Sequence, residues 1–254
     1  MAKSTKCLTI HSGNLLNLSP LKRKPGQSGA DELHESLSYV LTNCKEPKNH
    51  QNNIEVIACN VESNPLPVVE RKDTQVSMKI FLVKPSVEGV EKSLITAMET
   101  LNLDFVESVI LAIPVGNENV NSHLKPCWQQ LENFVRSSKI LTIGCSDITT
   151  DELKDLFSWA QVKPSTVQIN LASCCVVPPE MTEFAKEHDI RLLTHNDPQE
   201  ILSNEALRNL ITKNEAFGSH ATCNIDWILR YAVTIKGRGV IREKGYLLNA
   251  SVST

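Results

Sequence analysis

Cysteine, histidine and aspartate occur at places in this chain where their chemistry can be used. Cys174 and Cys175 are adjacent, and His195 and Asp197 follow them. Neighbouring cysteines bridge each other only under strain. One of them can therefore face a partner, as half of an intersubunit disulfide or as a redox sensor. The plainer role is two small apolar residues packed at a strand end. Cys145 or Cys174 with His195 supplies the residue types of a thiol nucleophile, which requires a depressed thiol pKa. His195 and Asp197 can line a pocket, touch a partner, or simply pair within a loop. Trp227 and Tyr231 lie in an apolar C-terminal stretch. Such aromatics anchor interfaces and also fill cores.

Other signatures are absent. There is no C-x-x-C pair, no glycine-rich phosphate loop of either common kind, no G-x-S-x-G elbow and no pair of histidines at i, i+4. A zinc ribbon, a helical metal site and a nucleophile elbow are thereby disfavoured.

The elements that must position these residues are clearest from residue 78 onward. Met78–Val83, Val109–Val115, Ile140–Cys145, Val167–Ala172 and Arg191–Thr194 are short, mostly apolar runs. Helical spacing fills the gaps. Leu94, Ala97, Met98 and Leu101 share one face, as do Leu124, Trp128, Leu131 and Val135. Thr149 and Glu152 make a capping box, and Pro178-Pro179 opens a helix where a missing N–H costs nothing. Apolar strands alternating with helices mean a parallel sheet buried on both faces. An open doubly wound sheet and a closed barrel both satisfy that pattern. In such folds, ligands sit at the carboxyl ends of the strands, where Cys174, Cys175, His195 and Asp197 fall.

The two ends are less regular. Residues 22–29, which include Lys22, Arg23 and Lys24, and residues 45–53 are predicted as loops. Asp31–Leu41 is predicted as a helix and Ile54–Cys59 as a strand. Ile225–Val233 suits either a helix or a strand. The expected organisation is an irregular segment, 1–53, and a β/α domain, 54–254.

The chain has 254 residues, 41% hydrophobic and 22% charged, with a net charge of −3. That balance gives no electrostatic reason to expect nucleic acid or an anionic membrane. No apolar run approaches a membrane span, and the first ten residues lack a signal-peptide core. Eight scattered cysteines in a chain this long read as reduced cytosolic thiols.

Four segments in order, residues 103–114, 128–147, 162–175 and 184–198, resemble the aldo–keto reductase superfamily. The resemblance implies an α/β fold of the (β/α)₈ TIM-barrel type, with an irregular N-terminal segment. In that superfamily a Tyr donates the proton, a Lys and an Asp tune it, and a His orients the carbonyl. By this resemblance the His position is Ala112, the Lys is Lys84, and no Tyr occurs between Tyr39 and Tyr231. The Asn-Gln pair that holds nicotinamide reads Val167-Gln168, and the stacking Tyr is His195.

"HSGNLLN" (11–17), "WAQVKPSTVQINLASCCVVPPEMTEFAKEHDIRLLTHNDPQE" (159–200) and "GRGVIREKGYLL" (237–248) are similar to the modifier subunits of glutamate–cysteine ligase. This resemblance implies a non-catalytic cytoplasmic protein with no cofactor of its own. It would form a heterodimer with the ligase catalytic subunit, improve glutamate use and relieve glutathione feedback. The alternative is an NADPH-dependent reductase with a degenerate site.

Overall fold

A computed structural model describes residues 5–18, 26–43, 48–50, 54–58, 70–114, 120–170, 176–213 and 222–253. Cys174 and Cys175 lie outside the described residues, as do the basic residues 22–24. The chain forms two compact units: Val76–Gln199, and Met1–Gln75 together with Glu200–Thr254.

The continuous unit carries the β/α alternation. Its strands are β4 (Thr74–Leu82), β5 (Val106–Ala112), β6 (Ile140–Ser146), β7 (Thr166–Asn170) and β8 (Arg191–His195). They lie side by side in chain order, and every adjacent pair is parallel. Helices α2 (Val87–Thr100), α3 (Val120–Arg136), α4 (Thr150–Trp159) and α5 (Pro179–Glu187) make the crossovers. All five apolar runs are thus strands, because continuous Val, Ile and Leu suit a strand covered on both faces.

The helices bury the predicted faces: Leu94, Ala97 and Met98 on α2, and Leu124, Trp128 and Leu131 on α3. The Trp128 indole N–H donates to the Val162 carbonyl at 3.0 Å, so the polar edge of this fully buried ring is satisfied. Both halves of the Thr149–Glu152 capping box form. Gly144 lets β6 approach β7 closely, since a Cβ there would collide with the Thr166 carbonyl oxygen.

The second unit contains β1 (Thr5–His11), α1 (Gly29–Asn43), β2 (Lys48–His50), β3 (Ile54–Ala58), α6 (Asn204–Ile211), β9 (Thr222–Ile235) and β10 (Val240–Ser253). Its strand order is β2-β3-β1-β10-β9. β1 and β3 are parallel, and the other pairs are antiparallel. The stretch whose type the sequence leaves open is therefore a long hairpin. Gly237 and Gly239 turn it with φ of 72° and 63°, a region glycine enters without a Cβ penalty. The loop expected over 45–53 contains the short strand β2. β1 and α6 are further elements that apolar periodicity did not reveal.

Trp227, Tyr231 and Tyr246 are the largest buried side chains of this unit. The Tyr231 hydroxyl lies 3.1 Å from the Gly13 carbonyl and 3.1 Å from His11 Nε2. Burial lowers the His11 pKa to about 4. The unfolded chain therefore takes up a proton near pH 6.5 that the folded chain refuses until about pH 4. Stability is lost as pH falls through that window. Urea midpoints measured from pH 7 to 4 are expected to show this loss, and His11→Gln is expected to reduce it.

Candidate functional site

At the carboxyl ends of the parallel strands, one strand residue reaches another through polar contacts that the sequence spacing did not announce. Lys79, in the middle of β4, is buried, and its ammonium donates to Asp197 Oδ2 at 3.0 Å and to Ser146 Oγ at 3.1 Å. Ser146, the last residue of β6, gives its own proton to Asp147 Oδ2 at 2.7 Å. His195, the last residue of β8, places Nε2 3.0 Å from Asp147 Oδ1 and 3.1 Å from Ser146 Oγ. Its Nδ1 accepts from the Asp197 backbone N–H at 3.1 Å in the neutral ring. In the protonated ring Nδ1 faces Asp197 Oδ2 at 3.3 Å. The Asn170 backbone N–H completes the Asp147 shell at 3.0 Å.

Asp147 sits at φ 61°, the left-handed region that Asp and Asn tolerate best among residues with side chains. This kink aims the carboxylate back at His195 and Asn170 rather than onward along the chain.

The charges of this cluster set its titration. For His195, burial is the largest influence and lowers the pKa. Hydrogen bonds to Asp147 and Asp197 oppose it, with the Asp147 charge adding and Lys79 subtracting, and the net shift is upward. For Asp147, burial pushes upward, but the bonds from His195 and Ser146 and the charges of His195 and Lys79 leave it lowered. The raised histidine stabilises fully below its unfolded value and loses that contribution as pH rises through the folded one. The lowered carboxylate contributes above its unfolded value and loses that contribution as pH falls. Together they contribute most between about pH 4 and pH 6.5. A proton NMR titration is expected to place the His195 midpoint above 6.5, and Asp147→Asn is expected to bring it down.

Ser146, His195 and Asp197 imitate the spacing of an acyl-transfer triad, but not its chemistry. The serine proton is committed to Asp147, and Ser146 is buried behind the cavity rather than lining it. The thiol expectation at Cys145 is overturned as well. Cys145 is fully buried, and burial together with the charges of Asp147 and Glu152 pushes its pKa far up, the reverse of what a nucleophile needs. Cys7, Cys127, Cys145 and Cys223 are free thiols, and burial holds Cys127 up at about 11. Among the described residues no His, Cys, Asp or Glu cluster is arranged to hold a metal.

The cluster forms one end of a cavity of about 510 Å³. Phe81, Leu82, Ile113, Pro114, Met181 and Pro198 are among its apolar lining, and Asp147, His195, Asn170 and Asp197 among its polar lining. Ala112 lines it from the end of β5, where its small side chain leaves room. Lys84 is exposed beyond the end of β4 and does not line it. Gln168, on β7, is half-buried, outside the lining, with its side-chain oxygen buried and unpartnered. Trp227 and Tyr231 belong to the other unit, 1% and 2% exposed, so their rings serve its core and present no face to a partner. His195 and Asp197 are thus brought together as read from the sequence. Lys79, Ser146 and Asp147 were missed, the lysine because it sits inside an apolar run.

The dinucleotide implied by the reductase resemblance was tested against this chemistry. The described lining residues include two aspartates and no lysine or arginine, and Lys79 is held beneath them by Asp197. Among the described lining residues a phosphate-bearing cofactor finds no cationic partner and faces carboxylate charge, and these residues do not fit it.

Comparison with known proteins places this geometry. The model of the Aldo/keto reductase family matches residues 48–235. The chain is 40% identical to a human glutamate–cysteine ligase regulatory subunit, over 96% of this chain and 93% of that one. To a putative glutamate–cysteine ligase regulatory subunit of Schizosaccharomyces pombe it is 24% identical, over 97% of each. To bovine aldo-keto reductase family 1 member A1 it is 25% identical, over 65% of this chain and 57% of that one. The α/β, aldo–keto reductase-like class read from the sequence holds. The chain belongs to the family of glutamate–cysteine ligase regulatory subunits, within the aldo/keto reductase family.

Proposed function

We propose that this protein is a non-catalytic regulatory subunit that binds the catalytic subunit of glutamate–cysteine ligase in the cytoplasm. The observation that carries the reading is 40% identity extending over 96% of the chain to a protein of that name. The cavity agrees with it. By the resemblance to reductases, the position that orients the carbonyl is Ala112 and the lysine position is the exposed Lys84, and no tyrosine is among the described lining residues. A reductase without its proton donor has lost general acid catalysis, a contribution of roughly 10²–10⁴ in rate. The chemistry therefore belongs to the partner, and this subunit contributes a coupling free energy. Such couplings are about 1–3 kcal/mol, or roughly 5–150-fold in affinity. Among the described residues no helix is long and apolar enough to cross a membrane.

The test is kinetic. The catalytic subunit from the same source is assayed with and without this protein, titrating glutamate at fixed glutathione. A lower apparent KM for glutamate with weaker glutathione inhibition is expected. Unchanged kinetics with a demonstrably folded protein would sink the proposal.

A further inference from the structure

We propose that the cavity at the carboxyl ends of β4–β8 binds a small amphiphilic organic cation, which presents N–H donors to Asp147 and an apolar ring to the apolar side chains of the lining. This goes beyond the regulatory reading and does not depend on it. A volume of about 510 Å³ is that of a small-molecule site, and apolar walls with a few convergent polar groups are its usual make-up.

Asp147 is the polar anchor. A carboxylate offers roughly four acceptor positions. Three donors of the protein use them: the Asn170 N–H and His195 Nε2 on Oδ1, and the Ser146 hydroxyl on Oδ2. The Asp147 side chain nevertheless keeps 31% of its surface accessible, against 7% for His195. Acceptor capacity therefore remains on the side that faces the cavity. The three bonds also fix the carboxylate in place, so little ordering is needed when a ligand arrives.

Charge selects the ligand class. Asp147 and Asp197 meet the Lys79 ammonium, which is buried beneath the lining and engaged with Asp197 and Ser146, and the His195 ring, which carries charge only when protonated. An ammonium or amidinium meets attraction from the accessible face of the Asp147 carboxylate, whereas an anion meets its repulsion. Phe81, Ile113, Pro114 and Met181 offer a flat aromatic ring an apolar seat. The small side chain of Ala112 leaves space for it beside β5.

The experiment is isothermal titration of the full chain at pH 7.5 with benzamidine and with benzoate, which share a ring and differ in charge. Saturable benzamidine binding without benzoate binding is expected. Asp147→Asn, which keeps a residue suited to the left-handed backbone, is expected to weaken benzamidine about tenfold or more. Ala112→Phe, which fills the cavity without changing charge, is expected to abolish binding and serves if the first variant fails to fold. No saturable benzamidine binding, equal binding of benzoate, an affinity untouched by Asp147→Asn or Ala112→Phe, or displacement of benzamidine by NADPH would each overturn the proposal.

Discussion

Lys79→Ala is expected to lower the unfolding free energy by about 3–5 kcal/mol, a large part of what a domain of this size possesses. The side chains of Lys79 and Asp197 are 5% and 3% exposed. Removing the ammonium leaves a buried carboxylate that has lost its full positive charge and keeps the His195 ring at 3.3 Å, so much of its desolvation goes uncompensated. Removing both charges is different. Lys79→Met with Asp197→Leu is expected to recover most of the loss, because a buried ion pair and an apolar pair of similar volume are often close in stability. Urea unfolding of wild type, both single variants and the double variant measures the coupling. A Lys79→Ala loss within about 1 kcal/mol, the range of an exposed pair, would show that the pair is not sealed from water. His195 gives an independent signal. The Lys79 charge lowers its pKa, so its NMR midpoint is expected to rise in Lys79→Met.

Gly144→Ala is expected to cost about 1–3 kcal/mol or more, from one added methyl. The methyl would meet the Thr166 carbonyl oxygen and carbon, which are backbone atoms of the neighbouring strand. No rotamer can relieve that contact. β6 and β7 must move apart, at the register where Gly144 lies opposite Thr166 and Ser146 opposite Gln168. Asp147 follows directly on β6, and Asn170 ends β7. The bond from the Asn170 N–H to Asp147 is thus expected to lengthen. The unfolding midpoint measures the cost, and a reduced His195 pKa, through a disturbed Asp147, shows that the strain reaches the cavity.

The unequal legibility of the two units has a physical reason. In the continuous unit β4 to β7 are largely buried and β8 is largely exposed, yet each strand reads as a short, mostly apolar run, and each helix carries one buried face. Such signals are local. β1 and β2 announce themselves differently. β1 finds its partners in β3 and in β10, and its alternation is confined to Leu8-Thr9-Ile10-His11, too short to announce a strand. The hairpin was left open because Trp227, Leu229 and Tyr231 fit a buried strand while the same stretch also fits a buried helix. Its glycines decided the matter through their positive φ.

The candidate site was half legible. His195 and Asp197 are polar residues just after an apolar strand, which is where function is expected in a parallel sheet. Lys79 occupies the middle of one, and the sequence signal there is only that a lysine interrupts Met78 and Ile80. A charge so placed is buried almost only when paired, which names the expectation of a partner but not Asp197. Asp147 follows Ser146 at the end of the β6 run, and its role depends on a backbone φ that no local pattern expresses.

The pairing of β1 with β10 also bears on how the protein is made. Thr5 lies opposite Ser253, and His11 opposite Leu247. On the ribosome β1 emerges early, yet one of its two neighbours, β10, is translated long after it. Residues 76–199, in contrast, leave the exit tunnel with the members of the parallel pairs β4–β5, β5–β6, β6–β7 and β7–β8 following one another in sequence. Their contacts are local in sequence and close quickly, whereas the β1–β10 ladder carries a large loop-closure cost. A nascent chain halted before residue 240 would hold a finished set of β/α crossovers beside a first strand missing half of its hydrogen bonds. Such an exposed edge invites chaperones or aggregation until the fourteen-residue β10 pairs with it.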